Sequence, residues 1–480
     1  MTLTGYDAVV VGSGPNGLVA AVAMAEAGRR VLVLEAASRW GGGLRTEELT
    51  LPGFAHDVCA TVLPLTVASP AFRALPLDGV GWDHPATPAA HPLDGRPAVL
   101  VHRDLDRTAA ALGRDARAWR ATVGATARGG RPLVDTLLAP LDLPPHSVFR
   151  AARFGALGVL PATAMARSVF RTADARAAFA GMAAHSMLDL RAPSTAGYGL
   201  LLAGLAHQVG WPVVHGGSQR LADALVARLV ELGGEIVTDH PVRALADIPP
   251  AAAVLLDLTP RQVVAIAGDR LPSSYRQRLS RFRYGPGVFK VDWALAGPVP
   301  WADPAVGDAA TVHLGGTLEE IAAGERSVAR GGHPDRPYVL VVQPCVADPS
   351  RAPAGKQTLW AYCHVPNGST VDMTERIEAQ LERFAPGFRD RVLARHVMGP
   401  AAMQEHNANL VGGDIGGGSA QLTQFLRRPA YSLRPWETPL PGLYICSAST
   451  PPGAGVHGMG GWQAARLALS AKPARVTVQG

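Results

Sequence analysis

The sequence predicts an α/β protein: a doubly wound, Rossmann-type dinucleotide-binding domain, interrupted by a helical cap and by an inserted, sheet-based substrate domain. Three observations predict this fold. A strand, a glycine-rich turn, a helix and a second strand open the chain between residues 6 and 36. Helix and strand patterns of the same type return after residue 213, and a second glycine-rich turn leads into a helix near residue 460. We therefore expect one domain assembled from three separate parts of the chain.

The first part, residues 1–75, opens with a buried-strand pattern and a turn of spacing G-x-G-x-x-G. In such turns one glycine permits the tight bend, one lets a pyrophosphate approach the backbone, and one allows close helix–strand packing. The strand "RRVLVLEA" then ends at Glu35 and Ala36, and an acid there accepts hydrogen bonds from ribose hydroxyls. The motif does not separate NAD from FAD. The residues of the turn predicted to contact the dinucleotide are Gly12, Gly14, Pro15, Asn16 and Gly17.

The next stretch, "EAASRWGGGLRTEE", places Arg39, Gly42 and Gly43 close behind the ribose-binding acid. Here the sequence resembles the flavoproteins that include amine oxidases, protoporphyrinogen oxidases and phytoene desaturases, whose pattern is R-x-G-G-R-x-x-[ST]. "GGGLRTEELTLPGF" is more similar to the bacterial carotenoid desaturase and ketolase branch. The resemblance implies a bound FAD. Gly43 replaces an arginine that many relatives carry, so Arg39, Arg45 and backbone amides would neutralise the pyrophosphate.

Residues 76–212 are rich in Ala, Arg, Leu and Pro, and their pattern predicts short helices that cover the substrate. Segment 146–170 mixes large apolar residues with Arg150, Arg153 and Arg167. Such a helix either lies on a membrane surface or packs on the protein core with its arginines in solvent.

The dinucleotide-binding pattern resumes over residues 213–277. A helix with leucines on one face ends at Gly233 and Gly234, a strand begins at "EIV", and "AAAVLLDLTP" predicts another buried strand. In the resembled family this part belongs to the FAD domain, and the residue that matches Val242 lies against the adenine.

Residues 278–425 are predicted to form the substrate domain. Phe289, Val291 and Trp293 alternate with Lys290 and Asp292, which predicts a half-buried strand. The stretches "PYVLVVQP" and "KQTLWAYCHVP" are its expected partners in a sheet.

The last part, 426–480, contains "LYICSASTPPGAGVHGMGGWQAA", a strand, a glycine-rich turn and a helix. Close backbone approach to a flat anionic group requires such glycines at a helix start. The resemblance implies contact between FAD and Ser447, Gly455, Val456 and His457, with Cys446-Ser447 replacing the G-D of many relatives. His457 either acts on the reduced flavin as an acid–base partner or only hydrogen-bonds the turn.

The loop before this part, "HNANLVGGDIGGGSAQLTQFLRRP", collects His406, Asn407, Asn409 and Asp414. One histidine and one carboxylate are too few strong ligands for a metal ion, so the sequence predicts no metal site here. No G-K-[ST] follows the loop, so it is not a P-loop. In the resembled desaturases and in desaturase-like flavoproteins of the pyridine nucleotide-disulphide oxidoreductase domain type, this loop forms a wall between substrate and flavin. The candidate catalytic residues are His457 and Asp414.

Composition excludes several other classes. The 45 basic and 39 acidic residues are interleaved, which argues against nucleic-acid binding. The four cysteines form no C-x-x-C pair, so redox chemistry must come from a bound cofactor. No apolar stretch reaches the roughly 18 to 20 residues that a membrane span needs. The N-terminus has no signal-peptide pattern, so we expect a cytoplasmic protein, with peripheral membrane contact as an alternative.

The resemblance implies an enzyme that moves a hydride between a C–H bond of an apolar, isoprenoid or polyene-like substrate and flavin N5, with oxygen or a quinone as electron acceptor. Relatives desaturate, saturate, isomerise or ketolate polyenes, so the motifs leave the direction of the reaction open. Two alternatives remain: a flavin amine oxidase-like enzyme, and a FAD-binding protein with a structural or regulatory role.

Overall fold

The computed structural model describes residues 5–77, 79–139 and 148–471, which fold around two main β-sheets. The strands in chain order are β1 Ala8–Val11, β2 Val31–Leu34, β3 Thr46–Glu47, β4 His56–Asp57, β5 Trp82–Asp83, β6 Thr87–Leu93, β7 Arg96–Val101, β8 Val213–Val214, β9 Glu235–Val237, β10 Ala253–Leu256, β11 Gly287–Leu295, β12 Ala309–Leu314, β13 Val339–Val342, β14 Gln357–Val365, β15 Val392–Met398 and β16 Leu443–Ile445.

Helices surround the sheets and join their strands. In chain order they are α1 Pro15–Glu26, α2 Pro64–Ala68, α3 Pro70–Ala74, α4 Leu105–Ala111, α5 Ala116–Ala121, α6 Val123–Leu138, α7 Val148–Gly158, α8 Ala162–Val169, α9 Ala173–Ala184, α10 Thr195–Gln208, α11 Gln219–Glu231, α12 Pro260–Ala267, α13 Ser273–Ser280, α14 Leu318–Ala329, α15 Thr374–Phe384, α16 Pro400–His406, α17 Leu422–Phe425 and α18 Met459–Ser470. Among the described residues, no helix is both long and apolar enough to cross a membrane.

The first sheet is parallel, with the strand order β16-β10-β1-β2-β9. Its central strands β1, β2 and β10 are fully buried because helices cover both faces, as parallel sheets require. The predicted strands at "EIV" and "AAAVLL" are confirmed as β9 and β10. The α11 helix is confirmed as well, with Leu221, Leu225 and Leu229 buried in the core.

The second sheet has seven strands in the order β15-β11-β14-β13-β12-β6-β7. The predicted pairing of β11 with β14, and of β14 with β13, is confirmed and antiparallel. One face of this sheet packs an apolar cluster that includes Phe289, Val291 and Trp293, which α15 covers. The other face turns toward the first sheet.

Four of the seven strands were not predicted: β12 and β15 within residues 278–425, and β6 and β7 outside them. Residues 76–212 were expected to be helical, but β6 and β7 form a hairpin that joins the second sheet beside β12. The Asp94-Gly95 turn that connects them is a recognised hairpin signal. Pro88 and Pro92 obscure it because proline is depleted in strands.

The prediction of a half-buried β11 is wrong. Lys290 and Asp292 are 1% and 0% exposed, although their alternation with apolar residues suggests a solvent-facing side. Their face of the sheet turns toward the first sheet, and Lys290 lines an internal cavity. The polar half of the pattern therefore marks the cavity side of the strand.

Segment 146–170 begins just outside the described residues and continues as α7 and α8. Phe149 is 91% exposed, and Arg150 and Arg153 are exposed beside it. Phe154 and Leu157, on the same helix, pack against the core under the cap. The helix thus packs on the protein with one face and presents an arginine-bearing face outward.

The two glycine-rich parts of the chain meet where α18 crosses α1. Gly461 lies so close to Asn16 that a Cβ at residue 461 would be 1.8 Å from the Asn16 carbonyl oxygen. This contact brings the starts of the two helices side by side.

Asp57, at the end of β4, joins three further parts of the chain. Its Oδ1 accepts hydrogen bonds from Thr46 Oγ1 at 2.6 Å and from the Ser218 backbone N–H at 2.9 Å, and Ser218 is the residue directly before α11. Its Oδ2 lies 2.8 Å from Arg351 Nη2, with both side chains 1% exposed. Burial alone would raise the pKa of Asp57, but Arg351 and these hydrogen bonds hold it below its ordinary value.

We expect Gly461→Ala to lower the free energy of unfolding by about 1–3 kcal/mol, because the added methyl group forces α18 away from α1. Urea unfolding followed by circular dichroism measures the change. Gly155→Ala is the matched control, since a Cβ at this helical glycine meets nothing within 4 Å. Alanine should stabilise α7 there by up to about 1 kcal/mol. Equal effects of the two substitutions would contradict the packing argument.

Arg351→Met should cost about 3–5 kcal/mol of stability, because it leaves the Asp57 carboxylate buried without its cation. Asp57→Asn combined with Arg351→Met should recover part of this loss, since no uncompensated charge remains. Urea unfolding at neutral pH measures both variants. A single variant as stable as the wild type would show that this ion pair is dispensable.

Candidate active site

A cavity of about 360 Å³ lies between the two sheets. Residues from both glycine-rich turns line one side of it, at the carboxyl ends of β1 and β10. Ligands bind to open parallel sheets at these strand ends. The second sheet and the cap line the opposite side. Of the predicted dinucleotide-binding residues, those that line the cavity are Gly14, Pro15, Asn16, Gly43, Ser447, Gly455 and Val456.

The opening turn places the start of α1 against the cavity. A Cβ at Gly17 would lie 2.1 Å from the Gly12 carbonyl oxygen, so glycine is required for this close approach. α1 begins at Pro15 with no side-chain cap and no acidic residue in its first turn. The Asp257 carboxylate, at the end of β10, accepts the Gly17 N–H of this first turn, and the positive helix end favours negative charge at this place.

Glu35 is 8% exposed at the end of β2. Its Oε2 accepts hydrogen bonds from the backbone N–H and the hydroxyl of Ser13, and its Oε1 accepts one from the Ala37 N–H at 2.9 Å. A carboxylate oxygen can accept two hydrogen bonds, so Oε1 retains capacity for a further donor.

The two arginines near Glu35 have different positions. Arg45 is 6% exposed, its Nη2 lies 3.7 Å from Glu35 Oε1, and its Nη1 donates to the His406 carbonyl. Arg39 is exposed and donates to the Thr46 carbonyl. The charge held inside the protein beside the predicted ribose site is therefore that of Arg45.

The remaining predicted contacts surround this region. Gly42 packs against Gly14 at the start of a short 3₁₀ turn. Ala36 is exposed just after β2. Val242 is half-buried after β9 and packs against the apolar cluster under the sheet.

Asp257, at the end of β10, was not predicted as a site residue. It lines the cavity, and its Oδ2 accepts a hydrogen bond of 3.0 Å from the Gly17 N–H. Burial, with a smaller contribution from Glu35, raises the pKa of Asp257 to about 7. An acid directly after a buried parallel strand is the sequence signal that marks this position.

The glycine-rich wall loop around residues 414–418 is tied to the closing turn by Arg428. This buried guanidinium donates to the carbonyls of Ala448 at 2.7 Å, Gly417 at 3.0 Å and Ser449 at 3.2 Å. The cavity is bounded here by Gly416 and Gly417 on one loop and Ala448 and Ser449 on the other.

The structure does not support the catalytic roles expected for His457 and Asp414. His457 Nδ1 accepts a hydrogen bond from the Met459 N–H, and Nε2 donates to the Gly453 carbonyl, both at 3.1 Å. Burial lowers the pKa of His457 to about 4. Because the backbone uses both ring nitrogens and the residue does not line the cavity, the geometry matches the alternative in which His457 holds the turn.

Asp414 is 1% exposed and also lies outside the cavity lining. It accepts backbone hydrogen bonds from Gly285 and Gly416 at 2.7 Å and from Gly418 at 2.8 Å. Burial raises the pKa of Asp414 despite these three bonds. Asp414 therefore holds the backbone of the wall loop in its conformation.

The opposite side of the cavity is aromatic and polar. The rings of Trp360 and Tyr362 on β14 stack with centroids 5.8 Å apart and an interplanar angle of 16°. Lys290 lies with its Nζ 5.1 Å from the Trp360 ring centroid and pairs with Asp292. His185 completes this side. Trp360 and Tyr362 share a face because they are two residues apart on one strand, and the pairing of Lys290 with Tyr362 brings the lysine beside them.

The described residues contain one group with metal-ligand spacing, Asp83, His215 and Asp348. His215 Nδ1 lies 2.8 Å from Asp83 Oδ2, and Asp348 Oδ2 accepts the Gly216 N–H at 2.7 Å. These contacts account for the cluster without an ion.

Comparison with known proteins agrees with this architecture. Residues 10–75 match the model of the NAD(P)-binding Rossmann-like domain. The pyridine nucleotide-disulfide oxidoreductase domain-containing protein 2 of Rattus norvegicus is 25% identical over 551 aligned residues, covering 96% of this chain and 93% of that protein. The phytoene desaturase (neurosporene-forming) of Rhodobacter capsulatus is 26% identical, covering 54% of this chain and 53% of that protein.

Solved structures extend the likeness over nearly the whole chain. An oxidoreductase from Methanosarcina mazei superposes with a TM-score of 0.65 at 17% identity, covering 97% of this chain and 100% of that one. Wild-type putrescine oxidase bound to putrescine gives 0.59 at 18% identity, covering 97% and 98%. The chain therefore carries a Rossmann-like NAD(P)/FAD-binding domain and shares its overall fold with the Methanosarcina mazei oxidoreductase and with putrescine oxidase.

Proposed function

We propose that this protein is a FAD-dependent oxidoreductase of the desaturase or dehydrogenase type, acting on an apolar, isoprenoid or polyene-like substrate. The observation that carries the proposal is the continuity of one cavity. Gly14 and Ser447 of the two glycine-rich turns line the same space as Leu340 and Trp360 of the second sheet. A dinucleotide and an apolar substrate held there would be in direct contact.

The residues on the dinucleotide side fit FAD. Glycines of the opening turn let a pyrophosphate approach the start of α1. Glu35 Oε1 has room for a hydroxyl donor, and the buried Oδ1 of Asn16 has no hydrogen-bond partner among the described residues. Gly43 leaves open the space that a side chain would occupy. When bound, FAD would supply the hydride acceptor at its N5 atom, with oxygen or a quinone as the final electron acceptor.

The chain's own contribution is to position the substrate and to exclude water. Met187, Leu202, Leu340 and Val342 make an apolar lining between the cap and the sheet, and this lining favours a hydrocarbon body. The second sheet then holds the reacting carbon in place. Positioning of this kind raises the reaction rate without a catalytic acid or base. Likeness to the phytoene desaturase of Rhodobacter capsulatus supports the same substrate class.

A second candidate is an amine oxidase-like function. The stacked rings of Trp360 and Tyr362 favour it, since an aromatic face attracts a cationic amine, and the fold is shared with putrescine oxidase. We place it second because the acidic residue that lines the described part of the cavity, Asp257, lies at the dinucleotide end and is bonded to Gly17. A FAD-binding protein with a structural or regulatory role is the third candidate.

Glu35→Ala should weaken FAD binding at least about tenfold, because a hydrogen bond to a charged group contributes about 1.5–3 kcal/mol. The ratio of flavin to protein absorbance after gel filtration measures the loss, and excess FAD should restore it. Glu231→Ala, which removes an exposed carboxylate from α11, is the matched control. A Glu35→Ala protein that purifies with full flavin content would count against the assignment.

Anaerobic titration distinguishes the three candidates. If the protein is a desaturase, a lipophilic polyene that still contains saturated C–C bonds should bleach the flavin absorbance. If it is an amine oxidase, a primary amine should do so. A flavoprotein that neither class reduces would support the structural role. A protein that cannot be reconstituted with FAD would overturn the proposal.

A further inference from the structure

The cavity face of the second sheet carries polar groups in a defined row. Tyr362 on β14 is paired with Leu340 on β13, and Leu340 is paired with His313 on β12. Neighbouring strands are about 4.8 Å apart, so the backbones at Tyr362 and His313 lie about 9.6 Å apart, with the backbone at Leu340 between them. Side chains in one cross-strand row point to the same face.

His313 extends this row toward the cavity through His185. The Nε2 atoms of the two histidines are 2.9 Å apart, so one ring donates a hydrogen bond to the other. His313 is 1% exposed, whereas His185 is half-buried and lines the cavity. Trp211 packs edge-on against both rings and fixes their orientation.

Two polar atoms in this row have no partner in the described part of the chain. His185 uses only its Nε2, which leaves Nδ1 free, and the Tyr362 hydroxyl makes no hydrogen bond. Both residues line the cavity, on either side of the apolar Leu340. A pure hydrocarbon would leave both atoms unsatisfied, at a cost of about 1–3 kcal/mol each where water is excluded.

Both groups are neutral. Burial, and to a lesser extent His364, lowers the pKa of His185 to about 3. Burial raises the pKa of Tyr362, and Glu325 adds to this effect. The positive charge nearby, on Lys290, is already paired with Asp292. A neutral oxygen therefore suits the site better than a carboxylate or an ammonium group.

Building on the proposed function, we propose that the substrate carries one neutral oxygen substituent, a hydroxyl or a carbonyl, on its apolar body and that His185 and Tyr362 bind this oxygen. Tyr362 donates to the oxygen. When His185 carries its proton on Nε2, that N–H donates to His313, and His185 Nδ1 accepts a hydrogen bond from a substrate hydroxyl. When His185 carries its proton on Nδ1, its Nε2 accepts from the N–H of His313, and Nδ1 donates to a substrate carbonyl. Both residues select the substrate and hold its position.

The test compares ligands that share one carbon skeleton: a conjugated tetraene hydrocarbon and its terminal alcohol, aldehyde and carboxylate. A tetraene bound beside Trp211 and Trp360 should quench tryptophan fluorescence, so affinity is measured with or without FAD and without turnover. In the wild type we expect the alcohol and the aldehyde to bind at least about tenfold tighter than the hydrocarbon, which corresponds to about 1.4 kcal/mol. The carboxylate should bind more weakly than the alcohol.

Tyr362→Phe and His185→Phe should each reduce the preference for the alcohol over the hydrocarbon about three- to tenfold and leave the hydrocarbon affinity unchanged. Tyr338→Phe is the matched control. It removes a phenol from the same sheet face, but that hydroxyl donates to the Gly181 carbonyl at 3.0 Å and Tyr338 does not line the cavity.

Equal binding of alcohol and hydrocarbon to the wild type would overturn the proposal, as would tightest binding of the carboxylate. The same holds if Tyr362→Phe weakens all four ligands equally. Because the readout does not depend on flavin, a protein that binds no FAD would refute the proposed function while this test still gives a result.

Discussion

The buried pair of Asp57 and Arg351 is the interaction that joins the ladder of β3 and β4 to the loop that leads into the second sheet. Asp57 ends β4 and accepts hydrogen bonds from Thr46 and from Ser218, the residue directly before α11. Arg351 belongs to the loop between β13 and β14. One carboxylate thus ties the two-stranded ladder of β3 and β4, the start of α11 and the loop before β14 to one another. Displacing any of these parts would leave a buried charge without its partner, which is costly, so the pair holds them in place.

The second sheet has two faces with opposite chemistry, and its function depends on that difference. One face is closed by α15 and apolar residues that contribute stability. The other presents the buried Lys290, Trp360 and His313 and the half-buried Tyr362. Keeping polar groups there costs desolvation free energy, which the Lys290–Asp292 and His185–His313 contacts partly offset. The remaining unpaired atoms are where a ligand gains most from binding.

Features set by local sequence could be predicted, and features set by tertiary packing could not. The spacing of Gly12, Gly14 and Gly17 and the acid after β2 identify the dinucleotide turn, since both depend on a few consecutive residues. The strands of the hairpin at Asp94-Gly95 were missed because proline outweighed the turn signal. His457 and Asp414 stand in glycine-rich loops typical of catalysis, yet their polar atoms are occupied by backbone groups. The grouping of His185 with Tyr362 depends on strand register and on a helix that arrives from another part of the chain.

The first sheet is assembled from strands that lie far apart in the chain, since β1 pairs with β10 and β10 with β16. During synthesis the opening turn leaves the ribosome more than 400 residues before the strand that completes its sheet, from Val11 to Leu443. Contacts between such distant residues form slowly. Until β16 and α18 arrive, the apolar edge of β10 and the surface of α1 that α18 covers remain exposed. We therefore expect the nascent chain to require protection from aggregation, and C-terminal truncation to be far more damaging than its few residues suggest.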